Sequence, residues 1–327
     1  MNFKHTFHVF VDNFSIVYKH LLYGLIVTAI GVGLFCAVIV PAMNNIMGTV
    51  QYATLRECIN KLWVSISNLE TETLHEDLLA FRSSVKEFVK MFGAEKESLF
   101  ALCAVLLTVA YLIYRFLMGI GNYTTGALIS DRMTLQAKSP FIGTMIKNLG
   151  RACLYNVIFV PVTFIYDVFT IVIMWALFFK WLHFLPILVR IFLFATVLIA
   201  LVALKLAFTV NWLPSLIQGK ESNRKAFLRT FKKSVSKKTI KDFGYTYSTF
   251  LVMTLIILAL NVSALVFTFG AGLLITVPAS FIMLISFEFV TYYNSNGLKF
   301  FIGSGSVVGP KKETPISVEE FFKGEDQ

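Results

Sequence analysis

Among the ionisable side chains inside the long apolar stretches of this chain, three bear most on its chemistry: Asp167, Lys205 and Glu288. Each costs on the order of several kcal/mol in hydrocarbon unless it is paired, hydrated or neutralised. Groups of this kind hold ion pairs, relay protons or line a solute path. Asp167 lies about thirteen residues, roughly 20 Å, beyond the cytoplasmic start of its stretch. Lys205 and Glu288 lie about 9 Å and 7 Å from the cytoplasmic ends of theirs. Matched depth predicts a Lys205–Glu288 pair across the bundle, with snorkelling of both side chains to the interface as the plainer reading. Asp167 is at the wrong depth for either, with only Thr163, Tyr166 and Thr170 near it in sequence. It reads as a protonated carboxyl hydrogen-bonded to a neighbouring helix, or as part of a substrate or proton path. Pro161 and Pro278 each stand about seven residues into a span, where a missing N–H kinks the helix and frees a carbonyl.

Other chemistry is hard to place. His5, His8, His20, His75 and His183 are scattered and form no HxxE or HExxH pattern, and no GxSxG, Walker or GxGxxG sequence occurs. Of four cysteines, Cys36, Cys103 and Cys153 lie in or at apolar spans and Cys58 stands alone, with no CxxC spacing. The reading is a non-enzyme without cofactor or metal.

The elements that position the three charges are six apolar stretches, at 21–42, 99–118, 154–179, 187–210, 246–268 and 271–292. Each approaches the ~20 residues that cross ~30 Å of hydrocarbon. With 57% hydrophobic and 15% charged residues, against about 25% charged for an average soluble domain, the chain suits lipid rather than water as its solvent. Residues 219–243 carry nine Lys/Arg against Glu221 and Asp242. Residues 119–151 carry Arg132, Lys138, Lys147 and Arg151 against Asp131, whereas 43–97 holds six basic and eight acidic residues. The positive-inside bias therefore puts both basic loops and both termini in the cytoplasm, with 43–97 outside. The net charge of +10 then has anionic lipid headgroups as its partner, and nucleic acid is excluded as the reason for it.

The predicted fold is an all-α polytopic membrane bundle. A cytoplasmic amphipathic segment (1–20) precedes the first span. An extracytoplasmic helical hairpin (43–98) separates it from the second, and a cytoplasmic loop with an interfacial helix (119–153) follows. A span hairpin (154–210), a basic cytoplasmic loop with an amphipathic helix (211–245), a second span hairpin (246–292) and a cytoplasmic tail (293–327) complete it. In the outer segment, Thr54 with Glu57 and Thr73 with Glu76 fit capping boxes. Leu55, Ile59, Leu62, Ile66 and Leu69 follow the first; Leu74, Leu78, Phe81, Val85, Phe88 and Phe92 follow the second. That spacing predicts helices over 55–69 and 74–92 whose apolar stripes bury each other or lie on the outer leaflet. A docking surface for an extracytoplasmic protein at 51–92 is the functional alternative.

A unit recurs three times. Phe7, Phe10, Asn13-Phe14 and Lys19 precede the first span; Phe141, Met145, Asn148-Leu149 and Arg151 precede the third; Phe227, Phe231, Ser234-Val235 and Lys238 precede the fifth. Asn122-Tyr123 and Asn211-Trp212 mark matching exits from the second and fourth. An interfacial helix followed by a span hairpin, with the outer hairpin inserted in the first copy, accounts for the uneven register. In the third copy Arg224, Lys225, Arg229, Lys232, Lys233, Lys237 and Lys238 flank an apolar face of Phe227, Leu228, Phe231 and Val235. Such a helix lies on an anionic leaflet, gaining ~1 kcal/mol per basic residue.

The segment from Asn211 to Lys238, with Pro214, Leu216, Gly219-Lys220, Ala226-Phe227 and Lys232-Lys233-Ser234, resembles a loop of bacterial six-span proteins similar to the glycerophosphodiester phosphodiesterase membrane domain. The resemblance spans roughly residues 100–300 and implies repeated helix-plus-hairpin units. The soluble phosphodiesterase domain has no counterpart here, so no activity is implied. Function is expected to be a lipid- or protein-interacting role in membrane or envelope homeostasis; the alternative is a small-solute or lipid transporter with its path near Asp167.

Overall fold

The computed structural model describes residues 2–68, 71–94, 97–182, 184–219, 239–303, 306–309 and 316–317. Among the described residues six helices are long and apolar enough to cross a membrane, and the chain is a multi-pass membrane protein of the all-α class. The chain forms two compact units, Val27–Tyr114 and the remainder, Met1–Ile26 with Arg115–Gln327.

In the larger unit, α1 (Asn2–Asp12) breaks at Asn13-Phe14 and resumes as α2 (Ser15–Met47), whose first residues belong here. The unit also takes the second half of α5 (Glu97–Leu135), α6 (Phe141–Trp175) with a π-helical extension over Ala176–Trp181, α7 (Ile187–Thr209) and the short α8 (Trp212–Gln218). Then come α9 (Thr239–Phe267) and α10 (Leu273–Asn296). Gly297 ends α10 at φ 67°, a left-handed cap that spares a side chain its clash. A small antiparallel sheet follows, β1 (Phe300–Ile302), β2 (Ser306–Val308) and β3 (Ile316–Ser317), with Phe300 opposite Val308. These strands lie within the stretch expected to be a plain tail.

Burial is uneven along the spans. Residues 119–130 of α5 are buried except Asn122, and 285–293 of α10 are buried apart from Glu288 and Tyr292. With Trp212, Leu213 and Leu216 of α8 they form the main core, which Phe300 of β1 closes. Packing is close at Gly126: a methyl there would meet Leu213, Ile217 and Phe289 at 2.9 to 3.2 Å, so α5, α8 and α10 converge on a position with little room for a side chain. A second cluster joins Ala203 and Ala207 of α7, Phe250 and Met253 of α9, and Phe287 of α10. Elsewhere the helices turn Ile, Leu, Val and Phe outward, Phe192, Phe169 and Ile165 among them, as lipid requires of an outer face.

One expectation is corrected here. Residues 141–151 are not a separate interfacial helix: α6 runs unbroken from Phe141, with Pro140 at its N-cap. Proline pre-sets the start, and nothing between it and Pro161 forbids helix, so the basic segment continues directly into the span. The amphipathic helix expected to carry Arg224, Lys225, Arg229, Lys232, Lys233, Lys237 and Lys238 falls outside the described residues.

The smaller unit holds the rest of α2, α3 (Val50–Ser67), α4 (Thr71–Ala94) and the start of α5. The helices α3 and α4 pack on each other as a hairpin, α3 starting five residues before the predicted 55 and α4 extending past the predicted 74–92 at both ends. Thr54 is not the cap: Thr49 accepts the Tyr52 N–H at 3.3 Å, and Thr54 sits a turn inside, its hydroxyl donating to Val50 O. Glu57, freed from a capping role, pairs with Lys61 at 3.0 Å. Thr73 likewise lies inside α4. The seam is rotated from the predicted stripe, for Ile59 and Ile66 are exposed while Ser65 and Ser84 are buried. Ser65 donates to Asp77 at 2.6 Å, and Tyr52 meets Phe88 at 6.4 Å between ring centres.

Candidate intramembrane charge site

The helices α6 and α7 form a hairpin pinned midway by Tyr166, whose hydroxyl donates to Leu201 O at 2.7 Å. One residue on from Tyr166 and one turn on from Leu201, Asp167 faces Lys205 with Oδ1 and Nζ 2.5 Å apart. Arg115 of α5 approaches the other carboxylate oxygen at 3.6 Å and donates to Thr163 Oγ1 at 3.4 Å. Thr163 is one turn before Asp167, so guanidinium and carboxylate are aligned along one face of α6. The three side chains are 20% to 32% exposed, neither sealed nor free in solvent. Two cations on one carboxylate leave the cluster one unit positive.

The predicted pairing of Lys205 with Glu288 is therefore replaced by Lys205 with Asp167, and the reason is geometric. Asp167 lies fourteen residues before the end of the π segment at Trp181, and Lys205 eighteen after the start of α7 at Ile187. Counted from that shared tip their heights differ by roughly 6 Å, which a lysine stem covers. Counting each from a separate hydropathy boundary obscured this. Asp167 is accordingly a paired carboxylate and not the isolated carboxyl expected.

Arg115 was missed altogether. Its signal was present, a lone arginine between Tyr114 and Phe116 inside an apolar stretch, but it stood close to the presumed end of that span. In the structure α5 continues twenty residues further, to Leu135.

Glu288 occupies a different setting. It stands between the buried Phe287 and Phe289 of α10 and makes no ion pair among the described residues. The core around this level holds other polar atoms. His20 Nδ1 lies 3.1 Å from Thr125 Oγ1. The side-chain oxygens of Asn122, Asn156, Asn211, Ser286 and Thr291 are buried with no hydrogen-bond partner. Asn122 and Asn211, the two matching exits, thus share a condition as well as a sequence context.

Beside the charge cluster, the same hairpin opens a groove of about 550 Å³ lined by Thr170, Met174, Trp175, Phe178, Phe194 and Leu198 among others. Thr170 is one turn from Asp167 and Leu198 two turns from Lys205, so the groove begins next to the charges and runs toward the tip. Its exposed wall is apolar throughout. At the tip Lys180 lies over Trp175 and Arg190 over Phe178, 5.6 and 5.4 Å from the ring centres. Among the described residues no three His, Cys, Asp or Glu side chains converge as metal ligands would. Comparison with protein-family models, with curated proteins and with solved structures finds no match.

Proposed function

We propose that this multi-pass membrane protein is non-enzymatic and acts by engaging lipid, as a factor in membrane or envelope homeostasis. One observation carries the reading: a cluster of net positive charge within the spans opens onto an apolar groove on the same hairpin. An anionic amphiphile matches both parts, with its charge on Arg115 and Lys205 and its chain between Trp175, Phe178 and Phe194. A photoreactive fatty-acyl probe incorporated with the full-length protein tests this. Label should fall on α6 and α7 near Met174 and Phe194 and should drop several-fold in Arg115→Met/Lys205→Met. Labelling spread evenly over the outer faces of α9 and α10 would reject the site.

A transport role near Asp167 is the second reading, favoured by the partial exposure of all three charged groups. A cysteine at Thr163 that reacts with water-soluble reagents from both sides of the membrane would move the balance to transport. We propose the cell membrane as its location, and the charge of 119–151 and 219–243 supports an orientation with both termini cytoplasmic. External labelling of a single cysteine at Ser67 but not at Asn296 is the expected pattern, and its inverse would reverse the orientation. Anionic headgroups are the proposed partners of the basic loop. The exposed Ile59, Trp63 and Ile66, which share one face of α3, support an extracytoplasmic protein partner at 51–92. The repeated helix-plus-hairpin unit is supported by the matching Asn122 and Asn211 exits, and the proposed likeness to the phosphodiesterase membrane domain rests on the residues from Asn211 to Lys238.

A further inference from the structure

A second polar site lies where α1, α5 and the end of β1 at Gly303 meet. A pocket of about 240 Å³ is lined by Asp12, Asn13, Arg132, Gln136, Lys138 and Gly303 among others. Its walls are stitched together across the chain. Gly303 N–H donates to Asp12 Oδ2 at 2.6 Å, and Gln136 Nε2 donates to Gly303 O at 3.4 Å. Gln136 adopts φ 51°, a left-handed conformation costly for a side chain with a Cβ and frequent at ligand clamps. Asn13 is 1% exposed; its Nδ2 is committed to Val9 O at 2.8 Å, and its Oδ1 is buried without a partner. A buried amide oxygen held in place and unsatisfied is a receptor for a donor. Arg132 and Lys138 form no ion pair among the described residues.

The charges are segregated by chemistry. Arg132 and Lys138 supply cations suited to a phosphate, while Asp12 and Asn13 Oδ1 supply acceptors suited to an ammonium group. The volume falls below the ~300–1,000 Å³ typical of sites for drug-sized ligands, which leaves out a nucleotide and admits a polar headgroup. Apolar residues flank it on both chain segments: Val11 and Phe14 beside Asp12-Asn13, and Leu135 beside Gln136, all exposed. The exposed series Phe7, Val11, Phe14, Tyr18 and Leu22 continues from α1 into the first span, so the pocket stands at the level where that span leaves hydrocarbon.

We infer that this pocket binds the headgroup of an amine-bearing phospholipid, a phosphodiester with a primary ammonium as in phosphatidylethanolamine. The phosphate sits on Arg132 and Lys138 and the ammonium donates to Asp12 and Asn13. The site is independent of the lipid reading for Arg115 and Lys205, since Arg132 is seventeen residues, roughly 25 Å, further along α5. Choline cannot donate a hydrogen bond, and phosphatidylglycerol brings no cation to Asp12, so selectivity is the signature.

Purified full-length protein in mixed nanodiscs of ethanolamine, choline and glycerol phospholipids tests the inference by counting retained lipids in native mass spectrometry. Wild type should retain the ethanolamine lipid about tenfold over the choline lipid, the scale of one charge-assisted hydrogen bond. Asp12→Asn keeps an acceptor for Gly303 N–H and should abolish that preference while retaining both lipids. Lys138→Gln, on an exposed side chain, should weaken retention of all three and leave the ethanolamine preference in place. Soluble phosphoethanolamine that competes at millimolar concentration would assign the binding to the headgroup alone; failure to compete while the lipid preference persists would assign it to headgroup and chains together. Equal retention of ethanolamine and choline lipids, a preference for phosphatidylglycerol, or a preference untouched by Asp12→Asn would each overturn it. Arg115→Met/Lys205→Met should not alter the headgroup preference, so failure of the charge-site reading is read separately.

Discussion

Asp167 and Glu288 are both carboxylates on apolar helices, yet the chain treats them oppositely. Asp167 lies on an open hairpin, partly exposed, and draws cations from two other helices, Lys205 at 2.5 Å and Arg115 at 3.6 Å. Glu288 lies in the buried stretch of α10, between the fully buried Phe287 and Phe289, and attracts no cation among the described residues. The difference teaches that partner choice in a membrane bundle follows the hairpin. Two helices joined by a short tip share an origin for depth, so residues at similar distance from the tip meet. Helices far apart in sequence share no such origin.

The comparison is most exposed at Asp167. Asp167→Asn leaves Lys205 and Arg115 facing each other without a counter-charge and should cost ~3 kcal/mol, the lower end of the range for a broken buried pair because the site is partly exposed. Thermal unfolding in detergent should show it, and adding Lys205→Met should recover part of the loss. No recovery would mean that the pair contributes little. The inner core gives the next largest effect. A methyl on Gly119 would stand 1.9 Å from Asn156 Oδ1, and Asn156 is tied to Ala152 O at 2.8 Å and fully buried. Gly119→Ala should therefore cost about 1–3 kcal/mol by overpacking, whereas Gly24→Ala, with open space around it, should be silent in the same assay. Glu288→Gln is expected to cost least, under ~1 kcal/mol, because an amide of the same shape loses no ion pair. A loss equal to that of Asp167→Asn would dissolve the contrast between the two carboxylates.

Much of the architecture is readable from one physical quantity. Hydropathy over about twenty residues locates the six spans, because a membrane helix must satisfy its backbone internally whatever its neighbours are. The helical period likewise locates α3 and α4, though not their seam, since Ser65 and Ser84 pack where the stripe of Ile59 and Ile66 was expected. Helix ends were less legible. Thr49 and Thr54 both precede helical sequence, and only the chain's turn at Gly48-Thr49 decides which one caps. The candidate sites were legible only in part. Asp167 and Lys205 stand out by type alone, but their partnership needs a common depth scale and Arg115 needed a longer α5. The surface pocket was invisible: Asp12, Arg132 and Gly303 are brought together by tertiary structure, with no spacing to betray it.

The convergence at Gly126 has a consequence for biogenesis. The buried half of α5 leaves the ribosome well before α8 and α10, which supply Leu213, Ile217 and Phe289 to seal it. Until the last span has been inserted, that segment's Asn122, Thr124, Thr125 and Ser130 have no finished core to enter. The nascent chain must be held at an intermediate stage, and a chain truncated before α10 should be recognised by membrane quality-control proteases as incomplete, however well its earlier spans have inserted.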